Sequence, residues 1–267
     1  MRYRLLGISF LVMALTSPLF AQSNANAEQL FERGMNALKG TGVSHNTLTA
    51  VDLIRRSAES GYVPAQVVMG YFYDTGTLVT AEPGQAATWY RKASDQDDRL
   101  GDWLLGRLYL TGSGVPRDTQ TAAGFLKKAA DQGDPFGEYL LGTIELERHN
   151  YANAENWFRK SAEQGLPQAQ LQLGTLLKQG LGTKADKFEA YVWLLVSFDA
   201  GNRAGASDLA ALESDLGTTQ LEQAKSKARE LAQSVTRSVV AHGCTGWDGE
   251  FAAIPTPPPP DVQRFCR

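Results

Sequence analysis

The histidines and cysteines are the residues of this chain best suited to chemistry, but their positions do not form a recognisable active site. His45 and His149 fall in predicted loops and His242 near the end of the chain, with about a hundred residues between successive histidines. The sequence contains no Ser-x-x-Lys, Gly-x-Ser-x-Gly or His-Glu-x-x-His motif, which would place a nucleophile or a metal beside a base. We therefore predict no catalytic residues and no enzyme activity.

Cys244 and Cys266 both lie near the end of the chain and allow two arrangements. Together with His242 they could supply three ligands to a metal ion. In an oxidising compartment a disulfide between them is the default, and closing a loop of roughly 23 residues contributes on the order of 3 kcal/mol in the chain-entropy model. We predict the disulfide, with no metal site and no cofactor.

The first 21 residues have the pattern of a secretion signal that ends at Ala21. Arg2 and Arg4 form a basic start, residues 5–15 form an apolar run, and residues 18–21 end on a small residue. The apolar run is short for a membrane span, so an uncleaved anchor is the less favoured alternative. We predict a periplasmic or secreted protein that is not inserted in the membrane.

The charge of the chain argues against nucleic acid as its partner. The 267 residues include 26 basic and 29 acidic side chains, for a formal net charge of −3. Residues 1–21 contain two arginines and no acidic residue, so their removal leaves a net charge of about −5. Such a chain has no excess of cations with which to neutralise phosphates.

Four series of residues recur in phase along the chain, which indicates a helical repeat array. Successive members stand at steps of 36, except for one step of 32 in each series. A glycine is followed by an alanine, then by a bulky residue three positions later, and then by a closing glycine or aspartate. The series are Gly34, Gly70, Gly106, Gly142 and Gly174; Ala50, Ala86, Ala122, Ala154 and Ala190; Leu53, Trp89, Phe125, Trp157 and Trp193; and Gly61, Asp97, Gly133, Gly165 and Gly201.

The one shorter step locates a four-residue deletion in the internal loop of the fourth unit. Residues 147–150 there replace the Gly-x-Gly connection that Gly112 and Gly114 form in the third unit. This Gly-x-Gly is not a phosphate-binding loop, because no strand precedes it and it recurs as a connector. A loop can shorten without disturbing the packed helices beside it.

Each unit is predicted to contain two short amphipathic helices that approach each other closely. Glycine inside a helix costs about 1 kcal/mol relative to alanine, and we expect close packing of Gly106 on Ala122 to compensate, with Tyr109 and Phe125 at the flanks. Glu82, just before the second helix of the second unit, is a poor N-cap. Better N-caps are predicted at the equivalent residues Asn46, Asp118 and Asp186.

Residues 205–239 are predicted to form a helical cap that ends the array. Leu209 and Leu212 continue the first-helix pattern, and residues 219–222 form a possible capping box ahead of a charged helix. A terminal pair with a polar face keeps such an array soluble. The Pro-rich tail at 240–267 is interpreted as a stapled segment over the last hydrophobic face, or as an arm that presents Trp247 or its prolines to a partner.

Residues 104–133, LLGRLYLTGSGVPRD…AAGFLKKAADQG, closely resemble the Sel1-like repeat, which is related to the tetratricopeptide repeat. Residues 154–165 and 189–194 are similar to it too, and the resemblance covers about 27–204, after a short linker at 22–26. It implies an all-α fold, an α/α superhelix that serves as a scaffold for protein–protein contacts, often in bacterial envelopes. The five units are assigned to residues 27–64, 65–100, 101–136, 137–168 and 169–204.

The related tetratricopeptide fold implies where such a scaffold binds. Its inner wall is lined by the first helix of each unit, three residues before the glycine and one residue after it. The transferred positions serve either as a groove for a peptide or partner helix, or as core between adjacent units. They are Phe31, Met35, Val67, Tyr71, Trp103, Arg107, Tyr139, Thr143, Leu171 and Thr175.

The sequence therefore predicts a non-catalytic scaffold that binds a protein or peptide along this wall. Aromatic rings beside an arginine are typical of binding hot spots. This favours four of the positions, which are Trp103, Arg107, Tyr139 and Tyr71. One alternative is a structural component of an envelope machine, such as a flagellar motor or a secretion system. The other is a cell-wall or β-lactam-processing hydrolase, although the branch of the family linked to β-lactams carries cysteines in its repeats, which these repeats lack.

Overall fold

The computed structural model describes residues 18–40 and 46–242, with side chains for 25–40 and 46–235. Every regular element in these ranges is a helix. Most of the predicted signal peptide and the tail from residue 243 onward lie outside them, including Cys244, Cys266 and their predicted disulfide. The predictions for those segments remain predictions.

The described helices pair into five units followed by a cap, which confirms the all-α superhelix expected from the repeats. The first helix of each unit is α1, α3, α5, α7 or α9, and the second is α2, α4, α6, α8 or α10. The bounds of the five pairs are Pro18–Lys39 and Thr47–Glu59, Val63–Thr75 and Pro83–Ser94, Arg99–Thr111 and Thr119–Asp131, Pro135–Glu147 and Tyr151–Glu163, and Pro167–Gln179 and Lys187–Asp199. The cap consists of a 3₁₀ turn at Arg203–Gly205, α11 at Ala206–Asp215 and α12 at Thr218–His242.

Helix starts follow the predicted capping residues where the side chain can accept a backbone N–H. The Asn46 side chain accepts from Thr49 N, Asp118 from Gln120 N and Thr121 N, and Asp186 from Glu189 N. Glu82 makes no capping hydrogen bond. Each accepted bond satisfies one of the backbone donors that a helix leaves unpaired at its first turn.

Several boundaries differ from those expected from the sequence. Helix α1 includes residues 22–26, interpreted above as a linker, because this segment contains no glycine or proline to interrupt a helix. Helix α12 begins at Thr218, so Thr219 lies in its first turn and does not precede it as a capping box requires. Units two to five each begin two residues earlier than assigned, at Val63, Arg99, Pro135 and Pro167. Three of these helices carry a proline in the first turn, and Asp98 caps the remaining one, α5.

The internal loop of the fourth unit is shorter by the predicted four residues. Residues 148–150 join α7 to α8, whereas residues 112–118 join α5 to α6. Gly112 ends α5 in the left-handed conformation with φ 75°, which glycine adopts without strain. In the short loop His149 has φ 61°, so a non-glycine residue makes the equivalent turn.

The glycine of each first helix lies where the second helix crosses it. A Cβ atom at Gly106 would lie 2.8 Å from Cγ of Leu126 and 3.2 Å from the carbonyl oxygen of Ala122. Close approach to Ala122 is therefore confirmed, and the rings of Tyr109 and Phe125 stack beside it with centroids 5.9 Å apart. The side chain over each glycine lies one position after the predicted bulky residue, and the series is Ile54, Tyr90, Leu126, Phe158 and Leu194.

One continuous hydrophobic core runs from the first unit to the cap. The first helices α5 and α7 contact each other directly, and Trp103 stacks on Phe136 with ring centroids 5.0 Å apart. Second helices of successive units meet through long charged side chains, such as Arg159 of α8 and Glu189 of α10. We call the face lined by the first helices the inner wall, as in the related tetratricopeptide fold, and the face lined by the second helices the outer face.

Candidate functional site: the inner wall of the first helices

The ten residues predicted to line a groove do lie on the first helices, but they fall into two groups by exposure. In units one to three they are buried in the core, as the alternative interpretation held. These six residues are Phe31, Met35, Val67, Tyr71, Trp103 and Arg107. In units four and five they are half-buried, and these four residues are Tyr139, Thr143, Leu171 and Thr175. We call the first group the closed half of the wall and the second group the open half.

Aromatic packing between adjacent units covers the closed half. Trp103 retains 1% of its exposure and lies flat against Phe136, which begins the next first helix. Phe31 packs at an angle on Tyr62, with ring centroids 5.4 Å apart. The expectation that Trp103 presents its ring to a partner is therefore corrected, because the following unit already occupies that ring.

Arg107 belongs to a buried polar cluster between the second and third units. Its guanidinium forms an ion pair with Asp74, and the two side chains are only 8% and 6% exposed. The Tyr90 hydroxyl donates to the same carboxylate at 3.4 Å. Burial, and next the charge of Asp74, raise the pKa of Tyr90 well above its usual range. Arg107 therefore ties α5 to α3, and this role replaces the predicted binding hot spot.

The open half consists of two half-buried hydrophobic side chains and of two threonines whose hydroxyl groups have hydrogen-bond partners. Tyr139 packs on Phe158 at a ring distance of 5.8 Å, and burial raises the pKa of its phenol. Thr143 donates its hydroxyl to the carbonyl of Tyr139, and Thr175 donates to that of Leu171. The hydroxyl groups of both threonines therefore already have partners within their own helices.

The cap borders the open half at its far end. Gly205 lies against Leu171, because a Cβ atom at residue 205 would come within 3.0 Å of its Cδ1. Lys178 of α9 pairs with Asp208 of α11 at 2.6 Å. These contacts fix the cap on the last unit.

The outer face is different in kind, because cations cover its aromatic rings. The Lys92 ammonium lies 3.9 Å from the ring centroid of Trp89, and Lys160 lies 4.4 Å from that of Trp157. Acidic residues of the same helices compensate neighbouring cations, as Asp131 does for Lys127. A surface with interleaved charges of both signs is suited to contact with water.

Sequence reasoning missed a row of buried polar residues four positions before each glycine of units two to five. These residues are Gln66, Asp102, Glu138 and Gln170, all at most 5% exposed. A fixed offset from the glycine series was the signal that could have found them. Sequence reasoning also missed Asp98 and Asp134, which cap α5 and α7. Asp98 is half-buried, and burial raises its pKa.

Within the ranges that the structure describes, no three His, Cys, Asp or Glu side chains are grouped so that they could hold a metal ion. None of the helices in those ranges combines the length and the apolar character that crossing a membrane requires. His149 is exposed, and its Nδ1 lies 3.0 Å from the hydroxyl of Tyr151. This histidine therefore belongs to the short loop of the fourth unit.

The Sel1 repeat family model matches this chain in five segments. They are residues 30–62, 63–98, 100–134, 137–166 and 167–202, well over half of the sequence. The chain belongs to the Sel1 repeat family. Repeats of this family commonly serve as scaffolds for protein–protein interaction.

Two solved structures share the fold. A Sel1 repeat protein from Oxalobacter formigenes is 25% identical, with a TM-score of 0.65, over 83% of this chain and 88% of that chain. A protective antigen present in uropathogenic Escherichia coli strains, which displays an SLR fold, is 25% identical with a TM-score of 0.54. The match covers 83% of this chain and 56% of the antigen, so this chain spans little more than half of that protein. None of the curated proteins matches the sequence.

Proposed function

We propose that this protein is a non-catalytic scaffold that binds a protein or peptide partner along the open half of its inner wall. The observation that carries the proposal is the half-buried surface of Tyr139, Thr143, Leu171 and Thr175 on two successive first helices. The side chains at the same positions in units one to three are buried by neighbouring residues of the array. A rigid, preformed surface offers contacts to a partner without a large ordering cost.

The proposed location is the periplasm or the exterior of a bacterial cell. Its support is the basic start, apolar run and small residue of the first 21 residues. A match to an antigen of uropathogenic Escherichia coli agrees with a bacterial protein of this fold. A fusion of residues 1–26 to alkaline phosphatase, which is active only when exported, tests this location. Activity in the periplasmic fraction supports it, and activity that requires an added export signal counts against it.

The binding proposal is tested by a paired substitution on the open half. Tyr139→Ala with Leu171→Ala removes two half-buried side chains from the wall, and we expect at least a tenfold loss of partner recovered after crosslinking in intact cells. The matched control is Trp157→Ala, since Trp157 is half-buried on the outer face. Circular dichroism shows whether each variant is folded. Recovery equal to wild type by a folded double variant would exclude the open half as the binding surface.

A further inference from the structure

The buried polar row consists of Gln66, Asp102, Glu138 and Gln170. Its members occupy equivalent positions, but two of them are amides and two are carboxyl groups. In each of units two to four, a glutamine at the end of the second helix donates to the row member of its own unit. The Nε2 atom of Gln96 donates to Gln66 at 2.9 Å, and that of Gln164 donates to Glu138 at 2.7 Å. The row member is an amide in one unit and a carboxyl group in the other, in the same place.

The amide version makes a second bond, to the helix of the preceding unit. Gln66 Nε2 donates to the carbonyl of Ala58, and Gln170 Nε2 donates to that of Ala162, both at 3.2 Å and both eight residues earlier. The equivalent carbonyl for Glu138 is that of Ala130, which already accepts from Gly133 N, as Ala58 does from Gly61 N. An ionised carboxylate has no proton to donate there, whereas a neutral carboxyl group has one.

The third unit provides a different solution for its carboxylate. Ser94 stands eight residues before Asp102 and donates its hydroxyl at 2.6 Å, and Gln132 donates to the other oxygen at 3.2 Å. Residue 130 is alanine, so Glu138 has no hydroxyl donor at that place. Charge-stabilising donors are therefore provided for Asp102 at a position where Glu138 lacks one.

The charges around Glu138 come from several packed elements. Lys160 on α8 favours the ionised form, while Glu163 on α8 and Asp134 at the start of α7 oppose it. On α5, Arg99 pairs with Asp134 at 3.4 Å. On α6, Lys128 acts on Asp102, and Asp131 pairs with Lys127.

We infer that protonation of the Glu138 side chain stabilises the contact between the third and fourth units. Its neutral carboxyl group binds the Ala130 carbonyl as the amides of Gln66 and Gln170 bind theirs, and this bond fastens α7 to α6. Loss of the proton removes that donor and leaves a buried negative charge at the seam. The contact between these two units is therefore more stable at mildly acidic pH than at alkaline pH.

The direction of the pH effect agrees with the burial. Burial raises the pKa of Glu138 from its usual range to about 7, although the Gln164 bond and Lys160 act against this. A carboxyl group whose pKa is higher in the folded chain than in the unfolded chain stabilises the fold when protonated. Stability from this group is complete below pH about 4.5 and is lost as the pH rises through about 7. Burial also raises the pKa of Asp134, to about 6, which adds to the effect at lower pH.

The experiment compares thermal unfolding of the full chain at pH 8.5 and pH 6. We expect the wild-type Tm to be higher at pH 6 by about 5 °C. Glu138→Gln, which installs the amide of the sister units, is expected to retain less than half of that difference and to equal or exceed the wild type at pH 8.5. The exposed Glu147→Gln on the same helix is the control and is expected to keep the wild-type difference.

A wild-type Tm that is equal or lower at pH 6 would overturn the inference, as would a Glu138→Gln variant with the full wild-type difference. A second measurement does not require any variant to fold. The side-chain carboxyl of Glu138, followed by carbon-13 NMR in the wild-type chain, is expected to titrate near pH 7. A midpoint near pH 4.5, which is ordinary for glutamate, would contradict it.

Discussion

The two halves of the inner wall occupy the same register of the repeat but meet different surroundings. Trp103 in unit three lies under the next first helix, while Tyr139, its counterpart in unit four, stays half-buried. In the closed half large aromatic and charged side chains fill the space between adjacent first helices. In the open half Thr143 and Thr175 occupy the places of Tyr71 and Arg107, and they are too small to close the wall.

This difference shows that a position on a repeat scaffold and its exposure are separate properties. The register decides which face of a helix a residue occupies. The size of its neighbours on the next unit decides whether a partner can reach it. A groove transferred from a related fold by register alone therefore includes core residues among its contacts.

Trp103→Ala gives the largest expected contrast between the halves. Because the indole is fully covered and stacked on Phe136, its removal is expected to lower the free energy of unfolding by about 3–5 kcal/mol. Tyr139→Ala, at the same register in the open half, is expected to cost about half as much. Urea denaturation at constant pH measures both. Equal losses would mean that the two halves are equally buried.

Gly106→Leu is expected to have the next largest effect, because it adds bulk where α5 and α6 cross. Overpacking against Leu126 should destabilise the fold by about 1–3 kcal/mol. Gly124→Leu is the matched control, since a Cβ at this exposed glycine of α6 has no neighbour within 4 Å. The control should be neutral or stabilising by up to about 1 kcal/mol, because leucine is the better helix former. A Gly106→Leu variant that melts with the wild type would remove close packing as the reason for the glycine.

Ala200→Gln is expected to have the smallest effect, and it stabilises. Ala200 stands where Gln96, Gln132 and Gln164 close the preceding units, and the buried Oε1 of Gln170 has no hydrogen-bond partner in the described structure. A glutamine at 200 supplies the missing donor, for a gain of about 0.5–1.5 kcal/mol. Ala200→Glu, which is similar in size but donates no hydrogen bond, should give no gain. The comparison is made by denaturant midpoints.

Much of the fold could be predicted because the repeat states the same information five times. The phase of the glycine and alanine series located the helix pairs, and the one shortened step in each series located the short loop before Tyr151. Asn46, Asp118 and Asp186 predicted helix starts because capping depends on local geometry alone. The start of α12 was misplaced by two residues, since the predicted capping box placed Thr219 just before a helix that in fact begins at Thr218.

The site was less predictable, because it depends on contacts between units. The sequence around Trp103 does not show that Phe136 covers its ring. The sequence around Arg107 likewise does not show that Asp74 pairs with its guanidinium. The same reason hid Glu138, whose burial depends on α6 and α8 together. The sequence therefore predicted which residues lie on the first helices, but not which of them are buried and which are partly exposed.

The central claim, that partners contact the open half of the inner wall, is tested most directly by site-specific photocrosslinking in intact cells. A benzophenone amino acid is placed at Thr175 on the open half and, in a separate protein, at the exposed Thr88 on the outer face. The account predicts a discrete crosslinked product from position 175 that is absent from position 88. Products from position 88 alone, or in equal yield from both positions, would contradict it.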